Sequence, residues 1–361
     1  MDIADKLNEF GRTALKNGEL GQAAILFTRA LDKSPNDPAY WNNLGRAYFL
    51  QGHYERAEQS FSKALSINQN YTVARQGRAH LRLLKRDWSG GWSDFRWRYK
   101  AADGSKPEAP IERMNLKGKH VVLFRDLGLG DELFFLRWLP ELENIAASVR
   151  YAPDPRLAFL LSRSGLPLLQ SEDEGEIFEA VSDLPYLLKS VKTPLPVKLT
   201  PHKPTVDDIR IQLERMGPHP WVGWTNEAGT PNAETSLHKF IAPRLLIPAI
   251  KGPWTLINVV RGRSWDVSGN GTFVANDPDV CLALMSLLDE YVTVSNTNVH
   301  LRAGIGKPSR VLVQQPPEFR WGLGDKSPFF PDCQVYRQDG DAWLPALNQL
   351  KDDLWQTLTI Q

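Results

Sequence analysis

Five small or aromatic residues near the start of the chain recur after a fixed interval of 34 residues. Gly11, Gly18, Ala23, Phe27 and Ala30 return as Gly45, Gly52, Ala57, Phe61 and Ala64. A period of this length requires each unit to be one supersecondary element that buries its apolar side by stacking on the next. Glycine and alanine at the recurring positions predict paired helices whose backbones approach closely. Phe27 and Phe61 are expected to fill the space between neighbouring pairs. Pro35 closes the first unit, and Gln69 marks the equivalent place less sharply.

The second unit runs from Trp41 through Leu44, Gly45 and Tyr48 to Ala57 and Phe61. This fits the tetratricopeptide pattern W-x2-L-G-x2-Y…A-x3-F. A third unit is degraded. It keeps Ala79 and Phe95 but has Arg86 and Arg98 where Gly52 and Ala64 stood one period earlier. Trp88 to Tyr99 reads as a capping helix whose aromatic face docks on the next domain, although plain core packing explains the same residues. Repeats over residues 1–100 are followed by a polar stretch, 101–117, with Gly104, Pro107 and Pro110, which reads as a linker. Repeats of this kind hold peptides or proteins, so a protein or peptide partner is expected.

The full length of 361 residues leaves room for one or two further domains. A formal charge of +1 argues against binding nucleic acid through a general electrostatic field. Cys281 and Cys333 make neither a disulfide framework nor a metal-binding spacing. The chain shows no apolar run of about 18 residues and no secretory leader pattern. The expectation is a cytoplasmic protein with no transmembrane segment, no metal and no resident cofactor.

Beyond residue 118 the pattern changes to alternating strands and helices. Lys119–Phe124 reads as a buried strand, followed by Gly128-Leu129-Gly130-Asp131 and an apolar-periodic helix stopping near Pro140. Strand, glycine-rich turn and helix form the opening unit of a nucleotide-type α/β fold. Gly128 and Gly130 let the backbone approach a ligand. Asp131, at the helix start, suits either a cap or a general base. Weaker signals continue through Ser148–Tyr151, Arg156–Ser164 and Ile177–Val181, giving a short first half over 118–205.

A second half, 206–361, begins with the strand Trp221–Trp224, a polar loop from Thr225 to Ser236, and a helix Pro243–Ile250. Thr255–Val260, Phe273–Ala275, Tyr291–Val294 and Arg310–Val313 read as strands, with helices at Val280–Leu288 and Asp341–Leu358. This alternation predicts a parallel sheet. Ser295, Asn296 and Thr297 follow a strand's carboxyl end and open a helix, where backbone N–H groups can hold a phosphate. Capping by Ser295 and Thr297 is the plainer role. His300 on its own reads more readily as a structural histidine.

Together the repeats, the G-W-x-D-F-x-W-R-Y segment at Gly91–Tyr99, the G-x-G-D-x-x-x-F-x-R-x-L-P segment at Gly128–Pro140 and the Ser295–Pro308 segment resemble bacterial tetratricopeptide-containing glycosyltransferases. These are similar to the heptosyltransferase family and, more distantly, to the O-linked N-acetylglucosamine transferases. The resemblance also takes in Arg320-Trp321 and Ser327–Pro331. It implies a GT-B fold, with two Rossmann-like domains facing a cleft. It implies an inverting, metal-independent transfer from a nucleotide-diphosphate sugar to a protein or glycan acceptor.

By the same resemblance Asp131 is the general base. Trp224, Asn226, Lys239, Arg261, Ser295, Asn296, Thr297 and His300 line the donor side together with Gly128 and Gly130. Three positions depart from the family pattern: Ser295 replaces a carboxylate, Val260 a glutamine and Lys239 an arginine. These departures keep a second reading open, that of a non-catalytic adaptor built on the same fold.

Overall fold

The computed structural model describes residues 2–98, 115–170, 175–229, 239–260, 271–340 and 342–359. Most of the expected linker and Arg261 lie outside these residues. Two compact units emerge. One comprises 1–114 with 185–191 and 315–323; the other comprises 115–184, 192–314 and 324–361.

Among its described residues the first unit carries the helices Ile3–Lys16, Leu20–Lys33, Pro38–Leu50, Tyr54–Ile67, Thr72–Leu84 and Trp88–Phe95. They form three antiparallel pairs. The recurring glycines leave room for phenylalanine rings. A β-carbon on Gly11 would lie 2.5 Å from the Phe27 ring, and one on Gly45 would lie 2.8 Å from Phe61. Gly77 stands 2.7 Å from Phe61 by the same measure. Phe61 is thus wedged between its own pair and the next, as expected from its recurrence, with Gly77 a partner that the 34-residue count did not name. Asp2 and Asp37 start their helices by accepting backbone N–H bonds, and Pro38 takes the first turn, where its missing N–H costs nothing.

The degraded third pair is held differently. Asp94 is 2% exposed and accepts from Arg75 at 3.2 Å, Arg78 at 2.7 Å and Arg82 at 3.1 Å. The aromatic face of its second helix is covered within the same unit. Trp92 meets Phe319 at 5.7 Å between ring centroids, and His80 Nε2 lies 3.2 Å from the Pro317 carbonyl.

Among the described residues the second unit contains eleven strands: β1 His120–Phe124, β2 Ser148–Ala152, β3 Ile177–Ala180, β4 Trp221–Thr225, β5 Glu227–Ala228, β6 Lys239–Phe240, β7 Thr255–Val260, β8 Gly271–Val274, β9 Glu290–Val294, β10 Arg310–Val313 and β11 Gln334–Arg337. β2, β1 and β3 make a parallel three-stranded sheet with β1 central. β11, β10, β9, β4, β7 and β8 make a parallel six-stranded sheet in that order. β5 and β6 form a small antiparallel pair. One face of the six-stranded sheet buries Val222, Trp224, Leu256, Val292 and Val294 against Leu246, Ile250, Leu347 and Leu350 of the helices Pro243–Ile250 and Leu344–Thr359.

Several boundaries differ from those expected. The helix after Gly128 does not stop at Pro140. It runs Leu129–Phe135, tightens to a 3-10 turn at Leu136–Trp138 and resumes as Leu139–Glu143, with Pro140 in the first turn. The expected division at 205/206 falls inside a helix, Lys203–Met216, which packs on the helix Pro278–Leu287. Only Ile209 and Leu213 of that helix are buried, so its apolar periodicity is faint.

Candidate active site

In open parallel sheets, ligands bind beyond the carboxyl ends of the strands where strand order reverses. The three-stranded sheet reverses at β1, and the six-stranded sheet reverses between β4 and β9. The loops leaving β1 and β9 are the two segments singled out from sequence, Gly128–Asp131 and Ser295–His300.

These two loops meet. A β-carbon on Gly130 would lie 3.3 Å from Thr297 Oγ1 and 3.5 Å from His300 Cδ2. Gly128 is the N-cap of the helix Leu129–Phe135, and Asp131 lies in its first turn, where the helix dipole favours a carboxylate. Asp131 is partly exposed, and its Oδ2 would lie 3.7 Å from a β-carbon on Gly128.

The next residue, Glu132, is 1% exposed. Its Oε1 accepts the Asp154 N–H at 3.0 Å. Burial raises its pKa above the ordinary carboxylate value, with the neighbouring Tyr151 hydroxyl opposing that rise. Asp154 has the opposite environment. Arg156 grips it with Nε and Nη2 at 2.9 Å each, and Arg125 pairs with it as well. The bonds from Arg156 hold Asp154 down at about 2. Asp126, after β1, accepts from the Ser182 hydroxyl just beyond β3.

On the other side Asn296, rather than Ser295 or Thr297, is the N-cap of the helix Thr297–Gly304; its Oδ1 accepts Val299 N–H at 3.3 Å. The Asn296 amide also donates to Thr293 Oγ1 at 2.8 Å and to the Tyr291 hydroxyl at 3.3 Å. Asn298 donates to the same hydroxyl at 3.1 Å. Ser295 is buried, and Thr297 is partly exposed.

His300 is buried, with ring centroids 6.1 Å from Phe134 and 5.2 Å from Phe330, both nearly perpendicular. Beside it Arg137 is 2% exposed and donates to the carbonyls of Phe134 at 2.9 Å and of Pro194 and Phe329 at 3.0 Å each. The Arg-x-Leu-Pro and Ser-Pro-Phe-Phe-Pro segments therefore interlock here.

The remaining expected donor-side residues are placed otherwise. Trp224 is 1% exposed in the sheet core, and its indole N–H has no partner among the described residues. Asn226 donates to the Ile241 carbonyl at 3.0 Å and accepts the Ile241 N–H through its own carbonyl, so it closes the base of a loop. Lys239 lies on β6, opposite Ala228. Lys307 does not reach toward the loops. Its Nζ donates to the carbonyls of Ser286 and Leu288 at the end of the helix Pro278–Leu287. Arg302 donates to the nearby carbonyls of Met285, Leu288 and Asp289. Both cations satisfy carbonyls that a helix end leaves open.

The sequence reading missed Tyr291, Glu132 and Arg137. Tyr291 and Thr293 occupy one face of an otherwise apolar strand, and that alternation was the available signal.

Comparison with known proteins agrees with this architecture. The tetratricopeptide repeat family matches residues 8–72. FlbA of Caulobacter vibrioides is 22% identical over 395 aligned positions, covering 95% of this chain and 65% of that protein. A tetratricopeptide-containing thioredoxin, TTL4 of Arabidopsis thaliana, is 24% identical over 188 residues, 51% of this chain and 26% of that protein. The chain thus spans less than two thirds of the length of either relative. A crystal structure of a family 9 glycosyl transferase from Veillonella parvula superposes with a TM-score of 0.50 at 10% identity, covering 69% of this chain and 99% of that one. The chain joins N-terminal tetratricopeptide repeats to a parallel-sheet α/β body with a glycosyltransferase-like fold.

Proposed function

We propose that the protein is a glycosyltransferase that moves a sugar from a nucleotide-diphosphate sugar to a protein or glycan acceptor, with inversion. The observation that carries this reading is the contact of Gly130 with Thr297 and His300. It sets a carboxylate-bearing loop from one parallel sheet against a helix N-terminus from the other, beyond the strands' carboxyl ends. Asp131 accepts the proton of an acceptor hydroxyl as its oxygen bonds to the anomeric carbon, and the bond to the nucleoside diphosphate breaks. The amino end of the helix Thr297–Gly304, with Thr297 beside it, receives the diphosphate charge. Lys239 and Arg261 are the cations assigned to the same leaving group. The repeats select the acceptor protein or peptide.

The test is titration with uridine, adenosine, guanosine and cytidine diphosphates, followed by transfer assays with the matching sugar donors. Saturable binding of one of them, and a fall in transfer of roughly 10²–10⁴-fold in Asp131→Asn with binding kept, is the expected result. No saturable binding to any of them refutes the reading and leaves a scaffold carrying the same fold.

A further inference from the structure

The polar groups under the Ser295–Asn298 loop form a chain of hydrogen bonds. Asn296 Oδ1 must face the Val299 N–H, which settles the orientation of its amide. The two amide hydrogens then go to Thr293 Oγ1 and the Tyr291 hydroxyl oxygen. Thr293 passes its own proton to the Val294 carbonyl at 2.8 Å. Thr225, the last residue of β4, gives its proton to the Val259 carbonyl of β7 at 2.9 Å. In the 2.8 Å contact between Thr225 Oγ1 and the Tyr291 hydroxyl, tyrosine is therefore the donor.

The phenol has one proton to give and two lone pairs to fill. It gives to Thr225 and receives from Asn296 and Asn298, so its capacity is used completely. Its ring is 0% exposed and has little freedom to turn away.

This hydroxyl lies where strand order reverses. It joins β4 to β9 across the gap between the loops that follow them. Buried polar networks of this kind give rigidity when every member is satisfied and cost stability when one is not. Asn296 and Asn298 flank Thr297, the residue against Gly130.

We propose that Tyr291 is the positioning residue of the donor loop. By holding the amides of Asn296 and Asn298, it fixes Thr297 and the first turn of the helix Thr297–Gly304 in the geometry that receives the diphosphate. Asn296 thereby leaves the set of ligand contacts and becomes an anchor. The inference rests on the reading of this loop as the donor site and adds a residue that touches no substrate.

Tyr291→Phe keeps the ring and removes the one atom that ties both amides. Nucleoside diphosphate binding is expected to weaken about tenfold, with the Michaelis constant for the sugar donor rising in parallel and turnover at saturating donor changing less than threefold. Asn298→Ala, at a partly exposed position, is expected to weaken binding about threefold and to add almost nothing in the Tyr291→Phe background. A structural role alone would lower the melting temperature without this split between Michaelis constant and turnover. Binding by Tyr291→Phe within twofold of wild type overturns the inference; if that variant does not fold, unchanged binding in Asn298→Ala overturns it equally. Absence of binding in the wild-type protein counts instead against the donor-site reading.

Discussion

The two parallel sheets solve the same problem with different chemistry. Each must hold a loop open at the place where strand order reverses. Around β1 the clasp is charged: Asp126 takes the Ser182 hydroxyl, while Glu132, Asp154, Arg125 and Arg156 bind the following helices together. Around β4 and β9 the clasp is neutral, made of hydroxyls and amides centred on Tyr291. Within the charged clasp, burial raises the pKa of Glu132 while Arg156 holds that of Asp154 down.

The largest predicted effect is the loss of transfer in Asp131→Asn given above. Next comes the seam where the 197–199 segment packs on the end of the helix Thr297–Gly304. A β-carbon on Gly304 would lie 2.7 Å from Leu199 and 2.9 Å from the Val197 carbonyl, and the Leu199 N–H donates to the Gly304 carbonyl at 2.9 Å. Backbone cannot give way as a side chain can, so Gly304→Ala should cost about 1–3 kcal/mol in urea unfolding. A cost below about 0.5 kcal/mol would show that the seam is looser than this packing implies.

The charged clasp is next. Asp154→Asn keeps an oxygen for the N-cap but loses the ion pairs with half-exposed arginines, a cost of up to about 1 kcal/mol at neutral pH. Because Asp154 is held near 2, its contribution is present above the ordinary carboxylate pKa and disappears as pH falls toward 2. The cost of the substitution should shrink accordingly in acid. Glu132 runs the other way. Its raised pKa means that its contribution is full in acid and declines as pH rises through the folded value. Glu132→Gln keeps an acceptor for the Asp154 N–H and should flatten that decline. Unfolding curves at about pH 2.5 and about pH 8 check both signs, and parallel shifts in the two variants would contradict the opposition.

The smallest effect is expected in the repeats. Gly77→Ala crowds Phe61 at 2.7 Å but gains roughly 1 kcal/mol of helix propensity, so the net loss should be well under 2 kcal/mol.

The repeats were legible because their glycine–phenylalanine contacts recur with the chain's own period. Gly77 escaped because Phe61 reaches it across pairs, at a separation unrelated to 34. The alternation of β and α and the two loops were legible too, since each loop follows an apolar strand and opens a helix. What each polar residue does there was not. Lys307 and Arg302, inside the segment that carries the resemblance, terminate a neighbouring helix, because carbonyls exposed by folding attract cations as phosphate does. Asn226 and Asn296 look like binding residues but close loops. Trp224 lies one position from Thr225, yet strand alternation turns it to the opposite, apolar face.

The arrangement beneath the Ser295–Asn298 loop separates two kinds of selective pressure. Tyr291, Asn296 and Thr225 answer to one another, and any one of them can change only with its partners. Thr297, against Gly130, stands outside that reciprocal set. If this loop holds the donor as proposed, substitution of Thr297 retunes which donor is accepted while the anchor beneath it is inherited unchanged.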